Sequence, residues 1–408
     1  MRGRLAVTQR TSTSFVYDIS PLTTVEDLER LRPEWVALFD RSRIPNPFVH
    51  PDWLITWAQH FANPSDLHVL AVRSGSELVG VAPFFRRSFS LLGLRTTFLR
   101  MLGSGRNSAL TEMPQVLTAP DQSRHVLRAV VGHLCAHARQ WDWIEIELGI
   151  TQGWFEREWI PLQGAGAGSV ALHKRSRAFV VLPLPPTWDE LRRNLKRNVK
   201  ESLRRGTNRL KHDAHEWRVV EPDGSEASLE RSLGTLVALH KARAQQTGIE
   251  PHANYFESAR EEAFLYDVGR RMRQSGSFTP LILEVDGEEV AARLLLETRD
   301  SVFLSVSGAS PAWWRYGVGT TLLKGALQRA IESGKTTANL SHGPDVSKLR
   351  WSEQLAYAQS FLIVGERRRS QLAFAAYWHV REEYVRRDER RRHIARHRPP
   401  AQLPTHAA

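Results

Sequence analysis

The chain of 408 residues holds one cysteine, Cys135, so no internal disulfide can form. A lone thiol in so long a chain fits a reducing compartment, and the cytoplasm is the expected location. Cys135 stands among Val130, Val131 and Leu134 on an expected helix, which makes it a packing residue rather than a nucleophile. Long apolar runs are missing: nothing approaches the ~18 residues that a membrane-spanning helix needs. The opening stretch MRGRLAVTQRTSTSFVYDIS has no hydrophobic centre of the kind a secretory signal carries. Several catalytic signatures are also absent: H-E-x-x-H, C-x-x-C, G-x-S-x-G, the kinase motifs, the G-x-x-x-x-G-K-[ST] nucleotide loop, and a G-x-G-x-x-G opening a βαβ unit. Zincin, dithiol, serine-hydrolase and kinase chemistries therefore have no support in motif terms.

What is present is ordinary globular composition with a basic excess. Apolar residues make up 41% and charged residues 25%, as expected of a globular protein. This length exceeds what one core organises well and predicts two domains. Lys and Arg number 56 against 44 Asp and Glu, which gives +12 and a pI near 10.2. Polyanionic partners follow: phosphorylated cofactors, nucleic acid or an anionic membrane face.

Residues 302–334 carry the most specific signal. Val302 to Val306 reads as a short buried strand. A loop follows, then Gly317-Val318-Gly319 and an amphipathic helix that stops at Gly334. A strand that delivers a glycine turn to a helix start is a phosphate-binding arrangement, because the first amides lack intrahelical partners and the helix dipole places positive charge there. Glycine removes the side chain that would hold a pyrophosphate away. Trp314-Arg315-Tyr316-Gly317-Val318-Gly319 resembles the acyl-coenzyme A pyrophosphate loop of GNAT acetyltransferases, [Q/R]-x-x-G-x-[G/A]. Both glycines match, whereas Trp314 replaces the leading polar residue.

The chain repeats its plan. Leu67–Val72 and Glu77–Phe85 predict one strand pair. Leu281–Val285 and Glu289–Leu296 predict another around Asp286-Gly287, a dipeptide suited to a type I′ turn. Helices are expected before each pair, at Val25–Phe39 and Pro51–Phe61, then at Ser228–Gln246 and Phe256–Gln274. Each half closes with a helix and a strand: Arg124–Arg139 before Trp143–Leu148, and Thr320–Ser333 before Thr337–Ser341. The glycine loop occurs only in the second copy, since its counterpart near Leu102–Arg106 has the wrong spacing. The second half is thus expected to hold the cofactor, and the first to serve as scaffold and substrate wall.

Between the halves, Thr187 to Gly206 predicts one helix, with a Thr187/Glu190 capping box and Gly206 as its stop. Leu191, Leu195, Val199 and Leu203 form an apolar stripe, and seven Arg and Lys residues cover the rest. This basic face reads as a solvated surface, or as a platform for the coenzyme A 3′-phosphate, an anionic acceptor or RNA along 191–211. No aromatic residue is interleaved within the basic run, which disfavours stacking on single-stranded nucleic acid. A second basic stretch, Arg381 to Arg398, predicts a frayed helix with a tail from Pro399, and contact with an anionic membrane surface is an option there. His393 and His397 lack carboxylate or cysteine partners in that stretch, so no metal site is expected.

Over roughly residues 20–365, the extent of two domains, the chain resembles the tandem-GNAT proteins of the cellulose-biosynthesis-associated acetyltransferase family, which are distantly similar to Fem-type peptidyl transferases. The resemblance is carried by Asn46-Pro-Phe-Val-His-Pro-Asp-Trp53, by Leu203-Arg-Arg-Gly206 and by the run from Leu281 to Gly343. It implies an α/β fold of two tandem GNAT-like domains, each a mixed, mostly antiparallel sheet flanked by helices. The expected division is a disordered 1–17, an N-terminal domain over 18–178 without a pyrophosphate loop, a C-terminal domain with the acyl-coenzyme A site over 179–365, and a basic helix and tail over 366–408. Where the family often has aspartate and then tyrosine-lysine after the last strand, this chain has Asn339 and Ser347-Lys348.

The resemblance also implies the site. Acetyl-coenzyme A, or another acyl-coenzyme A, is the co-substrate, with no metal. The strand edges are Val302–Ser307 and Thr337–Ser341. Amides near Val306 align the pantetheine arm, while Tyr316, Gly317, Val318, Gly319, Thr320 and Thr321 hold the pyrophosphate. His342 and Glu297 are the candidate bases, with Glu284 behind them. A histidine suits proton transfer near neutral pH. Lys348 is a candidate phosphate or acceptor contact, and Tyr357 a candidate acid for the leaving thiolate. Arg243 and Tyr255, around the Gly248–His252 loop, are the expected acceptor contacts. Trp313 and Trp314 either pack in the core or flank the adenine or a sugar acceptor. The expected activity is N-acyl transfer to an amine on a sugar, polysaccharide precursor or other small metabolite. The alternatives are a Fem-type transferase using aminoacyl-tRNA and a non-catalytic accessory protein of polysaccharide biosynthesis.

Overall fold

A computed structural model describes residues 16–91, 93–105, 110–150, 175–246 and 252–397. The first half opens with β1 (Asp18–Leu22), α1 (Val25–Ser42) and α2 (Pro51–Phe61). Helix α1 begins where Thr24 and Asp27 cap each other reciprocally. A meander of β2 (Leu67–Ser74), β3 (Glu77–Leu91) and β4 (Leu94–Met101) follows, then the short β5 (Leu117–Thr118), α3 (Ser123–Ala136) and β6 (Trp143–Ile150). Strand β6 runs parallel to β4.

The second half repeats this order. It comprises β7 (Arg175–Pro183), α4 (Trp188–Asn194), α5 (Arg197–His212), β8 (Trp217–Val220), α6 (Glu226–Ala244) and α7 (Ala259–Met272). Next come β9 (Phe278–Val285), β10 (Glu288–Glu297), β11 (Ser301–Ala309), α8 (Val318–Glu332) and β12 (Thr337–His342). The chain closes with α9 (Val346–Leu349), β13 (Leu355–Val364) and α10 (Arg368–His397). Asp286 and Gly287 both have positive φ, 51° and 82°, as the β9–β10 turn requires.

The described strands form one 13-stranded sheet in the order β1-β2-β3-β4-β6-β13-β7-β12-β11-β10-β9-β8, with β5 beside β3. Among the described strands, only β4–β6 and β11–β12 are parallel pairs. The halves exchange their last strands: β7 follows β6 in sequence but pairs with β12, and β13 follows β12 but pairs with β6. The two exchanged strands then pair with each other. The boundary expected at 178/179 falls inside β7, which already belongs to the sheet of the second half.

One apolar core runs along a face of the sheet through both halves. It joins α1 and α2 to α6 and α7, and Trp53 meets Phe264 edge-on at 5.3 Å. A second core lies on the other face under α4, α5 and α8. Cys135 is half-buried against the first core, in keeping with a packing role.

The helix expected over 187–206 is two helices. Thr187 Oγ does cap the first, accepting from the Glu190 amide at 3.3 Å. Leu195 and Lys196 then turn extended, with ψ 146° and 149°, which keeps Leu195 in the second core and lets Lys196 reach the Leu349 carbonyl at 3.2 Å. Gly206 is not a stop: α5 continues to His212, and a Cβ at Gly206 would sit 2.9 Å from the Tyr316 carbonyl oxygen. Its glycine serves a close approach between α5 and the loop before α8.

Candidate active site

Strands β11 and β12 pair only at Ser301–Thr337, Val302–Ala338 and Phe303–Asn339, and then diverge. Beyond Phe303, β11 leads into the loop that starts α8. Gly317 caps that helix with φ 66°, a left-handed conformation that favours glycine. The first bonds of the helix run from the Thr320 and Thr321 amides to the Gly317 carbonyl, at 2.9 and 3.0 Å. The Val318 and Gly319 amides precede them at the positive end of the helix dipole. A Cβ on Gly319 would meet nothing within 4 Å, because that position faces open space.

A cleft of about 540 Å³ lies against this loop. Gly317, Val318, Gly319 and Thr320 line it, as do Ser307–Ala309 of β11, Arg293 of β10 and Arg243 near the end of α6. Arg350 closes the loop side, its Nη2 donating to Thr320 Oγ1 at 3.0 Å. Four buried polar atoms on cleft-lining residues have no partner among the described residues: His252 Nε2, Arg293 Nε, Arg350 Nε and Trp351 Nε1. Buried donors are ordinarily satisfied, so their convergence on one cleft marks a ligand site.

The loop is braced from behind. Tyr316 is buried, and its hydroxyl donates to Asp213 Oδ2 at 2.7 Å and meets His215 Nε2 at 3.1 Å. His215 Nδ1 in turn meets Asp286 Oδ2 at 2.6 Å, and Arg209 donates to the Arg315 carbonyl. Tyr316 thus anchors the loop and does not line the cleft. Val306 and Thr321 are likewise buried beside it rather than lining it. Trp314, 48% exposed, lines the cleft under the Arg243 guanidinium at 6.0 Å, whereas Trp313 packs on His215 at 5.0 Å.

Where β11 and β12 part, the first half contributes a carboxylate that sequence reasoning missed. Glu112, 5% exposed, accepts hydrogen bonds from His342 Nδ1 at 2.8 Å, the His342 amide at 3.1 Å, Ser305 Oγ at 3.4 Å and the Ser341 hydroxyl. Burial pushes the Glu112 carboxyl up, but the bonds from His342 and Ser341 outweigh it and hold the group below its ordinary value. In a neutral ring, giving the Nδ1–H to Glu112 leaves the Nε2 lone pair as the acceptor; neither residue is among those that line the cleft. Ser341 has φ 74°, a strained value for serine, and its amide is held at 2.9 Å by Asn339 Oδ1. Asn339 therefore supports the turn that presents Ser341 and His342.

Glu112 is positioned by the run Asn46–Trp53. Asn46 Nδ2 donates to the Met113 carbonyl at 2.8 Å, Trp53 Nε1 donates to Thr111 Oγ1 at 2.9 Å, and Phe48 meets Phe303 of β11 edge-on at 4.9 Å. One available signal was an acidic residue within the uncharged stretch Ala109-Leu-Thr-Glu112-Met-Pro114.

Other expected residues fall elsewhere. Glu297 sits at the far end of β10, away from the cleft. It is buried, with Arg329 Nη1 at 2.6 Å and Lys335 Nζ at 3.5 Å, so it is part of an internal ion cluster. Glu284 pairs with Arg218 at 2.6 Å. Tyr357 is 47% exposed on β13, outside the cleft. Lys348 is taken by the Gly343 carbonyl and by Asp345, both at 3.2 Å. Tyr255 packs beside His240, with ring centroids 5.0 Å apart, and its amide donates to His240 Nε2 at 3.1 Å. His240 Nδ1 donates to the Ser307 carbonyl at 2.9 Å, which fixes α6 to β11. Of the Gly248–His252 loop, residues 248–251 lie outside the described residues.

Residues 197–349 match the family model described as an acetyltransferase (GNAT) domain. The match covers α5 to α9, which supply the cleft lining except for Arg350 and Trp351. The mixed, mostly antiparallel sheet flanked by helices is the architecture expected from the sequence. FemX has a similar fold, with a TM-score of 0.59 at 12% identity, covering 84% of this chain and 98% of that one. Also similar are a conserved protein of unknown function from Bacteroides thetaiotaomicron (TM-score 0.49, 14% identity, 85% and 100% covered) and a tandem GNAT protein from the clavulanic acid biosynthesis pathway (0.42, 13%, 86% and 99%). No curated protein sequence matches the chain. Among the described residues, no helix is long and apolar enough to cross a membrane, and no group of three or more His, Cys, Asp or Glu side chains is placed to hold a metal ion.

Proposed function

We propose that the protein is an N-acyltransferase that moves an acetyl or other acyl group from acyl-coenzyme A to an amine in one ternary complex. The observation that carries this reading is the open edge of β11 beyond Phe303, which runs directly into the Gly317 helix start. An extended pantetheine arm pairs with such an edge, and a pyrophosphate is met by the Val318 and Gly319 amides. Arg350 and Trp351 supply further donors on that side.

The chemistry balances without a covalent enzyme intermediate. The amine nitrogen attacks the thioester carbonyl, a C–N bond forms and the C–S bond breaks. The amine proton passes to His342 Nε2, and the imidazolium returns a proton, directly or through solvent, to the leaving thiolate. Glu112 acts as a positioning residue: it fixes the His342 tautomer and stabilises the imidazolium that forms. Assignment to the cellulose-biosynthesis-associated branch, with an amine on a sugar or polysaccharide precursor as acceptor, rests on the sequence resemblance over Asn46–Trp53, Leu203–Gly206 and the run from Leu281 to Gly343.

Isothermal titration with acetyl-coenzyme A tests the donor site, with Gly317→Glu alongside. That substitution puts a strained side chain and a negative charge at the helix start. Micromolar binding that the variant loses is the expected result, and absence of binding by the unmodified protein overturns the reading. A second reading, Fem-type transfer from aminoacyl-tRNA, is favoured by the exposed Arg192, Arg193, Arg197 and Arg204 along α4 and α5. It predicts salt-dependent tRNA binding in place of acetyl-coenzyme A binding.

A further inference from the structure

Three guanidinium groups line the cleft, and the phosphate loop engages only one of them. Arg350 is bonded to Thr320 at the start of α8. Arg243 and Arg293 meet on the β10–β11 side instead. Arg243 Nη1 donates to Ser307 Oγ at 3.2 Å, and Ser307 is the cross-strand partner of Arg293. Neither arginine has a carboxylate partner among the described residues, and Arg293 Nε is buried with no acceptor. Burial lowers both groups, Arg293 to about 10; the charge of Arg243 adds to the effect on Arg293, while Asp345 and Tyr255 partly offset it on Arg243. The lining carboxylate, Asp345, is already held by Lys348 Nζ at 3.2 Å and by the Ser347 hydroxyl.

Two mutually repelling cations, both half-buried in one wall, are unfavourable unless an anion joins them. The fold keeps them on rigid elements, a helix end and a mid-strand position, rather than on a loop free to swing outward. Arg293 also interrupts the apolar run Val290–Leu296, where packing alone would favour an apolar residue. His252, pushed down to about 3 by burial and by nearby positive charge, stays neutral and offers a further unfilled polar atom at Nε2.

We infer that Arg243 and Arg293 form a second oxyanion subsite, separate from the phosphate loop, which binds a carboxylate or phosphate on the acyl acceptor. The acceptor is then an amine that also carries a negatively charged group, and the two arginines orient that group while the amine faces the open edge of β11. This inference rests on the acyltransferase reading. The same oxyanion chemistry is available from the phosphates of the donor, and the experiment below separates the two sources.

Protein saturated with acetyl-coenzyme A is titrated with inorganic phosphate and, separately, with succinate. Saturable binding is expected with the donor site filled. Arg243→Gln and Arg293→Gln should each weaken it by at least about tenfold, the value of one lost charge-assisted hydrogen bond, and leave acetyl-coenzyme A affinity within about threefold. Arg293→Gln should hold or raise Tm, because it removes a buried, unpaired charge; a merely structural arginine would lower it. If saturated protein binds neither anion, the inference falls. It also falls if phosphate competes with acetyl-coenzyme A and both substitutions weaken the donor instead. Failure of the unmodified protein to bind acetyl-coenzyme A would strike the acyltransferase reading alone. The phosphate titration is then run without donor. Binding that Gly317→Glu retains and Arg293→Gln loses upholds the subsite, and any other pattern overturns it.

Discussion

Glu112 and His342 stand 230 positions apart in the chain, yet the carboxylate accepts a 2.8 Å hydrogen bond from the imidazole Nδ1. The pair joins the two halves at the point where β11 and β12 diverge. Glu112→Gln keeps the shape but exchanges an acceptor for an amide. Transfer should fall by about 10²–10⁴-fold, because the base His342 loses the partner that sets its tautomer and stabilises its imidazolium. Acetyl-coenzyme A affinity should be unchanged, since Glu112 does not line the cleft. Thiol release with acceptor present, set beside donor titration, checks both statements. Equal losses in the two would show that the carboxylate only holds the fold together.

Gly206→Ala tests the brace behind the loop. At an exposed mid-helix site this change stabilises by about 1 kcal/mol. Here the added Cβ would lie 2.9 Å from the Tyr316 carbonyl oxygen, and backbone cannot yield as a flexible side chain does. The expected sign is therefore reversed: a lower Tm and weaker acetyl-coenzyme A binding, both from displacement of Gly317. An unchanged donor affinity would mean that α5 does not set the loop.

The chain should lose stability on mild acidification. His50 caps α2, its Nδ1 accepting from the Asp52 amide at 3.2 Å, and burial pushes it down to about 4 from 6.5. Above pH 6.5 it is neutral in both states. Below that, the unfolded chain takes up a proton that the folded chain refuses, so stability falls by up to about 1.4 kcal/mol per pH unit until the folded value is reached. His50→Asn keeps a capping acceptor and removes the titration. Melting curves at pH 7 and pH 5 should show a smaller drop for the variant than for the unmodified protein.

Much of the second half is legible from the chain, because local rules decide it. Asp286-Gly287 forces a tight turn, and Gly317 and Gly319 mark a helix start that faces open space. Glu112 is not legible in that way. It lies between strands, in a segment without periodicity, and its partners are fixed only when the sheet closes. The break at Leu195 has no glycine or proline to announce it; burial of Leu191, Leu195 and Val199 in one core decides it. Glu297 misled because an acidic residue at a strand end looks the same in sequence whether it faces a cleft or a pair of cations. Arg293 did leave a trace, as the one charge within the apolar run Val290–Leu296.

Asp142 ties the C-terminal helix to the first half. Buried at 2% exposure, it accepts from Ser370 Oγ at 2.5 Å, Arg367 Nη2 at 3.2 Å and the Thr97 amide at 2.9 Å. Asp142→Ala strands those donors and should cost about 3 kcal/mol, at the low end for a broken buried pair because the arginines keep some contact with water. It should also speed proteolysis within α10, where Tyr377 otherwise stacks on Trp143 at 4.9 Å. Denaturant melts and timed digestion would read the two effects.

The exchange of β7 and β13 has a consequence for synthesis. As the chain emerges from the ribosome, β6 is complete more than two hundred residues before its neighbour β13 exists. Until Val364 has been made, β6 and β7 each present an unsatisfied edge of backbone amides and carbonyls. The first half therefore cannot mature as a self-contained unit. A nascent chain arrested short of Leu355 should be sticky and dependent on chaperones, and release of the final strand is the event that seals both halves at once.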